Sequence, residues 1–336
     1  MALPASLRLH PWASSYEGLI EGAEEDEDSQ GPEVDPSVEV PPEGWCPRRP
    51  EAVAGPDAFL FVDGVRRVDV SVAALENERP VWGLFGSYGA GGVLCRPGVP
   101  ASRMGEEVRR SLVLAATGYQ GHLEVPAGSA SLRYLVVSIG DKEQKEVRQA
   151  VQHRMRELEA ELVAGGRLPA GDDVLVVVDG PLTFLPRWAG HSAAVVGLVK
   201  THHRRYLEGA SLARCIVELA PGERTPIFLV LTEREVDRRF SWYVRVAAPP
   251  PFHHPLVGIV RLETWAEGGL ERARRLADIT ALVLPRFAPP LGWDARAPAN
   301  LYPVAALEEH LRHSLGDHAW VRRSIESYLY RGGGAA

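Results

Sequence analysis

The fold is decided by Asp173-Val174-Leu175-Val176-Val177-Val178-Asp179-Gly180, in which five consecutive apolar residues stand between two aspartates. A short, continuous apolar run of this kind is typical of a strand buried on both faces of a sheet. The closing Asp179-Gly180 predicts a sharp turn, because glycine adopts backbone conformations that other residues avoid. We therefore expect this run to be a central strand of an α/β domain.

The same pattern occurs earlier in the chain. The apolar run Ala58-Phe59-Leu60-Phe61-Val62 ends in Asp63-Gly64 and predicts a second buried strand that opens into a turn. Between the two runs the period becomes helical, and Gly165-Gly166 is expected to end this helix. The apolar positions of the helix are Val147, Val151, Met155, Leu158 and Leu162.

The remaining periodic segments complete the same architecture. Further strands are predicted at Val68 to Val72, Trp82 to Cys95 (interrupted by glycines), Leu132 to Ser138, Ile227 to Leu231, Tyr243 to Ala247, Val257 to Leu262 and Ala281 to Leu284. Further helices are predicted at Ser192 to Tyr206, Pro303 to Ser314 and Trp320 to Tyr330. The expected fold is an α/β domain with a mixed sheet and helices on its faces.

Composition indicates an ordinary globular protein, with 45% hydrophobic and 24% charged residues among 336. No apolar stretch approaches the roughly 20 residues that a membrane-spanning helix needs, and the N-terminus lacks the features of a secretory signal. Three scattered cysteines are expected to stay reduced, which favours a cytoplasmic location. Residues 1–56 are acidic and Pro-rich and are expected to form a mobile or loosely attached arm before the domain at 57–330.

The net charge of −7 lowers the expectation of a static DNA-binding module, because such modules usually carry a basic face. Part of the acidity is local, since six of the eight residues from Glu21 to Asp28 are acidic. A metal site built from carboxylates also makes an enzyme acidic, while its bound cations restore the local sign.

The two Asp-Gly pairs are the first chemical signal. Aspartates at the carboxyl ends of neighbouring buried strands point into the crevice where α/β sheets place their ligands. Asp63 and Asp179 could together hold Mg²⁺ or Mn²⁺, which prefer oxygen ligands. The alternative is that Asp-Gly simply begins a turn after each strand.

The helix between the strands supplies the second signal. At 100° per residue, Glu159 and Glu161 lie at the two edges of its apolar stripe, whereas Glu157 lies further towards solvent. A carboxylate at the edge of the stripe can reach a site on the adjacent sheet. Glu159 is the preferred ligand, followed by Glu161, although charged helix positions are more often solvated.

Six segments resemble, in order, the motifs of the NurA nuclease family, over about residues 57 to 325. They are Val62-Asp63-Gly64, Val177-Val178-Asp179-Gly180-Pro181-Leu182, Val196-Gly197-Leu198-Val199-Lys200, Tyr243-Val244-Arg245-Val246, Val260-Arg261-Leu262-Glu263, and Tyr302-Pro303 with Leu307 and His310. Val65 stands where the family usually has serine, a departure that concerns a secondary hydrogen bond and not a metal ligand.

This resemblance implies a ribonuclease-H-like mixed sheet with helices on both faces. It also implies that Asp63, Glu159 and Asp179 hold two divalent ions about 4 Å apart, one activating water and one stabilising the leaving oxygen. His310 would ligate the second ion or shuttle a proton, because imidazole titrates near neutrality. Tyr302 would lie beside them.

Lys200 would offer a point charge to a DNA phosphate. The alternative is that a lysine late in a helix suits the helix dipole.

The implied activity is that of a divalent-metal-dependent DNA nuclease with Mn²⁺ or Mg²⁺ as cofactor. The family implies a 5′-to-3′ exonuclease with some action on single strands, working as a homodimer with a HerA-type hexameric ATPase in DNA end resection and repair. Two alternatives remain open. One is a non-catalytic scaffold subunit of the ATPase complex, and the other is a different ribonuclease-H-like nucleotidyl- or phosphoryl-transfer enzyme.

Overall fold

The computed structural model describes residues 7–9, 32–76, 79–169, 171, 173–185, 194–200, 206–207 and 209–332. Its strands are β1 (Arg8–Leu9), β2 (Val34–Asp35), β3 (Ala58–Glu76), β4 (Arg79–Arg96), β5 (Val99–Leu114), β6 (Gly121–Ala127), β7 (Ala130–Ser138), β8 (Val174–Asp179), β9 (Ala194–Val199), β10 (Phe228–Val230), β11 (Arg239–Arg245) and β12 (Ile259–Trp265). Its helices are α1 (Gln144–Ala164), α2 (Ala210–Glu218), α3 (Leu270–Val283), α4 (Tyr302–Ser314) and α5 (His318–Gly332).

The strands of the described residues form one mixed sheet in the order β2-β10-β11-β12-β9-β8-β3-β4-β5-β7-β6, with β1 paired to β3 outside this path. The pairs β3–β8, β8–β9 and β5–β7 are parallel. The other pairs between named strands are antiparallel. The two Asp-containing runs of the sequence are therefore adjacent parallel strands near the middle of the sheet.

Helices cover both faces of this sheet because successive side chains of a strand point to opposite sides. On β3, Leu60 and Val62 pack in one cluster with Met155 of α1. Phe61 lies between them in the chain and packs in another cluster with Leu307 of α4. Burial of each such side chain contributes roughly 1.5–3 kcal/mol. The predicted mixed sheet with helices on both faces is confirmed, and it is consistent with a ribonuclease-H-like fold.

The helix predicted between the two runs is α1. At its start, the Glu146 side chain accepts a hydrogen bond from the Glu143 backbone N–H at 2.9 Å, as part of a capping box. Gly165 stands at its C-terminal cap. Two of the other predicted helices are confirmed as α4 and α5. None of the described helices is long and apolar enough to cross a membrane.

The predicted helix Ser192 to Tyr206 is wrong where the structure describes it, since Ala194–Val199 form β9. Residues 192–193 and 201–205 lie outside the described residues. β9 lies between β8 and β12, and its residues Val195 and Val196 are buried in clusters on opposite faces of the sheet. A segment that is apolar on both faces shows no polar side from which its period can be determined.

The predicted strand at Ala281 to Leu284 is also wrong. Ala281 belongs to α3, and Leu284 directly follows that helix. The preceding turns of α3 bury Ala273 and Ala277, which stand at four-residue intervals before Ala281. The short apolar run is therefore the end of a longer helical stripe.

The strands β3 and β4, which pair at the first Asp-Gly, are longer than the sequence predicts. β3 continues through Asp63 and Gly64 to residue 76, and β4 is a single strand despite its glycines. Asp63 pairs with Gly91 of β4, and Gly64 pairs with Ala90. The antiparallel ladder therefore continues where a turn was predicted, and β3 has an irregularity between Val68 and Val70. Asp63 consequently lies inside a strand, at the point where β8 ends beside it.

Part of the N-terminal segment packs against the domain, in contrast to the loose attachment expected for it. β2 pairs with β10 at the edge of the sheet, and Trp45 lies in a buried cluster with Phe228. The Glu39 side chain is 1% exposed and accepts a hydrogen bond from Arg224 at 3.1 Å. Residues 10–31, which include the most acidic stretch, lie outside the described residues.

Gly197 provides a test of how closely β9 fits the loop after β8. A Cβ atom at this position would lie 2.7 Å from the Gly180 carbonyl oxygen, a backbone atom that cannot move away freely. We expect Gly197→Ala to lower the free energy of unfolding by about 1–3 kcal/mol. Gly55→Ala is the control, because a Cβ there meets nothing within 4 Å. Urea unfolding of both variants checks this, and equal stabilities would contradict the packing described.

Candidate metal centre

Three acidic side chains meet near the middle of the sheet. Asp63, Asp179 and Glu308 each offer one oxygen, and these oxygens lie within 4.8 Å of one another. We call these three residues the carboxylate cluster. The parallel strands β3 and β8 pair Val62 with Val178, so the following residues, Asp63 and Asp179, stand side by side. Strand register therefore brings together two aspartates that are far apart in the chain.

Glu308 reaches the cluster from α4, where its side chain is 6% exposed. α4 buries Leu307 and Leu311 against the sheet, which fixes the position of the helix. Glu308 is not among the ligands predicted from the sequence. The signal was present, because Glu308 follows the buried Val304 by four residues and so lies beside the apolar stripe of α4. Glu308 therefore stands at the edge of an apolar stripe, as Glu159 does on α1.

Two cationic side chains contact the cluster. Lys200 Nζ donates to Asp179 Oδ2 at 2.8 Å and to Asn300 Oδ1 at 2.7 Å. Arg296 donates to Glu308. Lys200 directly follows β9, so its alternative explanation as a lysine late in a helix no longer applies. These contacts partly balance the negative charge of the cluster.

The three candidate glutamates of α1 occupy different environments. Glu159 is buried, with 1% of its surface exposed. The side chains of Glu157 and Glu161 are 54% and 53% exposed and form ion pairs with Arg154 and Arg109, respectively. Among the three, Glu159 is thus the one that faces the protein interior, although it does not belong to the group of carboxylates within 4.8 Å of one another.

Arg156 connects Glu159 to the cluster. Its Nη1 donates to Glu159 Oε2 at 2.8 Å and also to the carbonyl oxygen of Asp179. Gly180 has a φ of +103°, and a Cβ there would lie 2.8 Å from the Nη2 atom of Arg156. The positive φ favours glycine at this position, and the absent side chain leaves room for the guanidinium group.

Burial raises the pKa of two of these acids. Burial raises the pKa of Asp63 well above its usual value, and the nearby charge of Asp179 raises it further, while Lys200 acts in the opposite direction. Burial also raises the pKa of Glu159, although Arg156 opposes this shift. The site therefore disfavours full ionisation of its acids unless more positive charge is supplied.

The unpaired oxygens of the site fit a divalent cation. Among the described residues, Asp63 Oδ2 and Glu159 Oε1 are buried without a hydrogen-bond partner. Leaving a buried polar atom unpaired costs about 1–3 kcal/mol. Carboxylate oxygens are the ligands that Mg²⁺ and Mn²⁺ prefer, and a bound cation would satisfy an oxygen that no protein donor reaches. The donor set of the cluster is thus suited to a hard divalent ion.

A buried ionic network holds the loop that follows Asp179. Glu263 is fully buried and accepts a hydrogen bond from the backbone N–H of Leu182 at 2.8 Å. Its carboxylate also pairs with Arg261 at 2.6 Å and Arg239 at 3.3 Å. Burial alone would raise the pKa of Glu263, but Arg261 and Arg239 outweigh it and hold the pKa below its usual value. The carboxylate is therefore ionised at neutral pH and fixes the loop next to the cluster.

The last two residues implied by the resemblance lie outside the cluster. Tyr302 is the first residue of α4, is 37% exposed and contacts the ring of Trp293. His310 Nε2 lies 2.9 Å from Glu106 Oε2 on β5. The structure therefore gives His310 an acidic partner, Glu106, that the sequence analysis did not identify, and it does not group His310 with Asp63 and Asp179.

A comparison with protein families places most of the chain in one of them. A family model described as the NurA domain matches residues 73–309, well over half of the 336 residues. The match includes Glu159, Asp179 and Glu308, whereas Asp63 precedes it and His310 directly follows it. No protein of curated function matches the chain.

The raised pKa of Asp63 predicts a stability change. An acid whose pKa is higher in the folded state stabilises the fold at low pH, and this contribution is lost as pH rises from the unfolded value of about 3.9 through the folded value. In EDTA at pH 8, we expect Asp63→Asn to raise the free energy of unfolding by roughly 1 kcal/mol and Tm by about 2 °C or more.

Mn²⁺ should then raise the Tm of the unsubstituted protein and have little effect on Asp63→Asn, since binding to the native state alone is stabilising. Glu309→Gln serves as the control, because Glu309 is exposed on the same helix as Glu308. An Asp63→Asn variant that is less stable than the parent in EDTA at pH 8 would contradict this account. Differential scanning calorimetry with and without Mn²⁺ provides the measurement.

Proposed function

Because the chain belongs to the NurA family, we propose that it is a divalent-metal-dependent DNA nuclease. In finer detail, we propose a 5′-to-3′ exonuclease with some action on single strands, acting in DNA end resection and repair. The observation that carries the proposal is the convergence of Asp63, Asp179 and Glu308 at the carboxyl end of β8. Such a group of carboxylates, two of them buried, suits phosphodiester hydrolysis, in which cations must neutralise the charge of the phosphate.

The carboxylate cluster would hold Mn²⁺ or Mg²⁺, and the unpaired Oε1 of Glu159 offers a further oxygen nearby. A bound divalent ion supplies Lewis-acid polarisation of the phosphate and a water that loses its proton near neutral pH. Glu263 supports this site by holding the loop next to Asp179 in place.

The remaining groups would handle the substrate. Lys200 Nζ, which donates to Asp179 of the cluster, would bind a non-bridging phosphate oxygen as a point charge. His310, held by Glu106, would transfer a proton to or from the reacting oxygens, with Tyr302 beside the scissile bond. These roles rest on the resemblance together with the position of each residue on or next to α4 and β9.

Cleavage of labelled DNA tests the proposal directly. With Mn²⁺ the protein should shorten end-labelled single- and double-stranded DNA, and EDTA should stop it. Asp179→Asn and Glu308→Gln should each reduce the rate by more than about 100-fold, which exceeds the usual cost of losing an outer-shell partner of a metal ligand. Glu309→Gln, one residue further along α4 and exposed, should cleave at the parental rate.

The position of the label reports the polarity of digestion. If the protein did not cleave DNA with Mn²⁺ but hydrolysed ATP under the same conditions, we would assign it as a different phosphoryl-transfer enzyme and not as a nuclease. Unchanged cleavage in both Asp179→Asn and Glu308→Gln would exclude the carboxylate cluster as the active site.

The family also supports a homodimer that works with a HerA-type hexameric ATPase. We expect the purified chain to co-elute with such an ATPase in gel filtration at low salt. Separate elution at every salt concentration would contradict this partnership. In the complex, Asp179→Asn should abolish DNA processing without preventing assembly, whereas a scaffold subunit would leave processing unchanged.

A further inference from the structure

Two neighbouring aromatic side chains are exposed where the chain enters α4. Trp293 is 62% exposed and Tyr302 is 37% exposed. Their ring centroids are 5.3 Å apart, with an interplanar angle of 79°, so the rings pack edge to face. Isolated exposed apolar residues are ordinary, but here one ring supports another and most of the indole surface faces solvent. The pair therefore offers one largely exposed indole ring that is supported by a neighbouring aromatic ring.

Hydrogen bonds connect the segment that carries Trp293 to the carboxylate cluster. Asp294, the neighbour of Trp293, accepts a hydrogen bond from Asn300 Nδ2 at 2.8 Å. Asn300 Oδ1 in turn accepts from Lys200 Nζ at 2.7 Å, and Lys200 donates to Asp179 at 2.8 Å. A chain of three hydrogen bonds thus runs from the segment that carries Trp293 to one of the cluster carboxylates.

The same segment has a second attachment to the cluster. Arg296 donates to Glu308, and its side chain is 49% exposed. Tyr302 follows Asn300 by two residues and begins the helix that carries Glu308. The loop and helix end that carry the aromatic pair are therefore tied to the cluster twice, through Asn300 and Lys200 to Asp179 and through Arg296 to Glu308.

We propose that Trp293 and Tyr302 form a stacking platform for an unpaired nucleobase of the DNA strand whose phosphate lies at the cluster. The inference rests on the nuclease function proposed above. Lys200 and Arg296 attract the phosphate backbone, and the exposed indole receives the adjacent base. Every base has a π-face, so this contact favours unpaired strands without selecting a sequence. It accounts for a large apolar side chain kept in solvent beside a charged site.

Equilibrium binding tests the platform separately from cleavage. Fluorescence anisotropy would follow a labelled oligodeoxyadenylate of about 16 nucleotides in Ca²⁺, with gel analysis to show that the probe stays intact. We expect Trp293→Ala to weaken binding by about 5- to 150-fold, the range for loss of one stacked base. Trp293→Phe should retain most of the affinity. Trp320→Ala is the matched control, because Trp320 is 39% exposed on α5.

A second probe isolates the contribution of the base. An abasic oligonucleotide of the same length carries the same phosphates, so the parent and Trp293→Ala should bind it equally. Equal affinity of the two proteins for the oligodeoxyadenylate would overturn the platform, and intact cleavage would then leave the nuclease proposal standing. A parent protein that neither cleaves nor binds DNA would overturn both. If Trp293→Ala weakened the binding of blunt duplex as much as that of the single strand, an unpaired base would also be excluded as the occupant.

Discussion

Asp63 and Asp179 are held side by side by the register of two parallel strands, and Asp63 is buried there. Like charges at such close range inside a protein repel strongly, because the surroundings screen them poorly. The arrangement is therefore stable only with protons, cationic side chains or bound cations nearby. Lys200 and Arg296 supply part of that charge, and no donor among the described residues reaches Oδ2 of Asp63.

The surrounding structure is organised to hold this unfavourable group in place. Glu263, buried between two arginines, fixes the loop after β8, and Arg156 fills the space under Gly180. Buried ion pairs of this kind add little to net stability, since desolvation offsets their attraction. Their value here lies in geometry, because each hydrogen bond restrains the backbone next to Asp179. These interactions thus hold in position carboxylates that would otherwise separate.

Much of this architecture was predictable from local patterns, and the exceptions have physical causes. The runs ending in Asp63 and Asp179 predicted adjacent buried strands, and helical spacing located α1. The segment Ala194–Val199 was predicted as helix, because a strand apolar on both faces carries no periodic signal. Long-range pairing with β4 decides that β3 continues past Asp63, and no local pattern reports it. Glu308 was overlooked although its stripe-edge position on α4 was visible, whereas the pairing of His310 with Glu106 depends on tertiary structure alone.

The central claim is that the carboxylate cluster holds a divalent cation. A crystal structure determined with Mn²⁺, using the anomalous signal of the metal, tests it most directly. The account predicts an anomalous peak bonded to oxygens of Asp63, Asp179 and Glu308 at about 2.0–2.2 Å, the range for small hard cations. Saturating Mn²⁺ with no peak between these three side chains, or with peaks only at exposed acids such as Glu309, would contradict it.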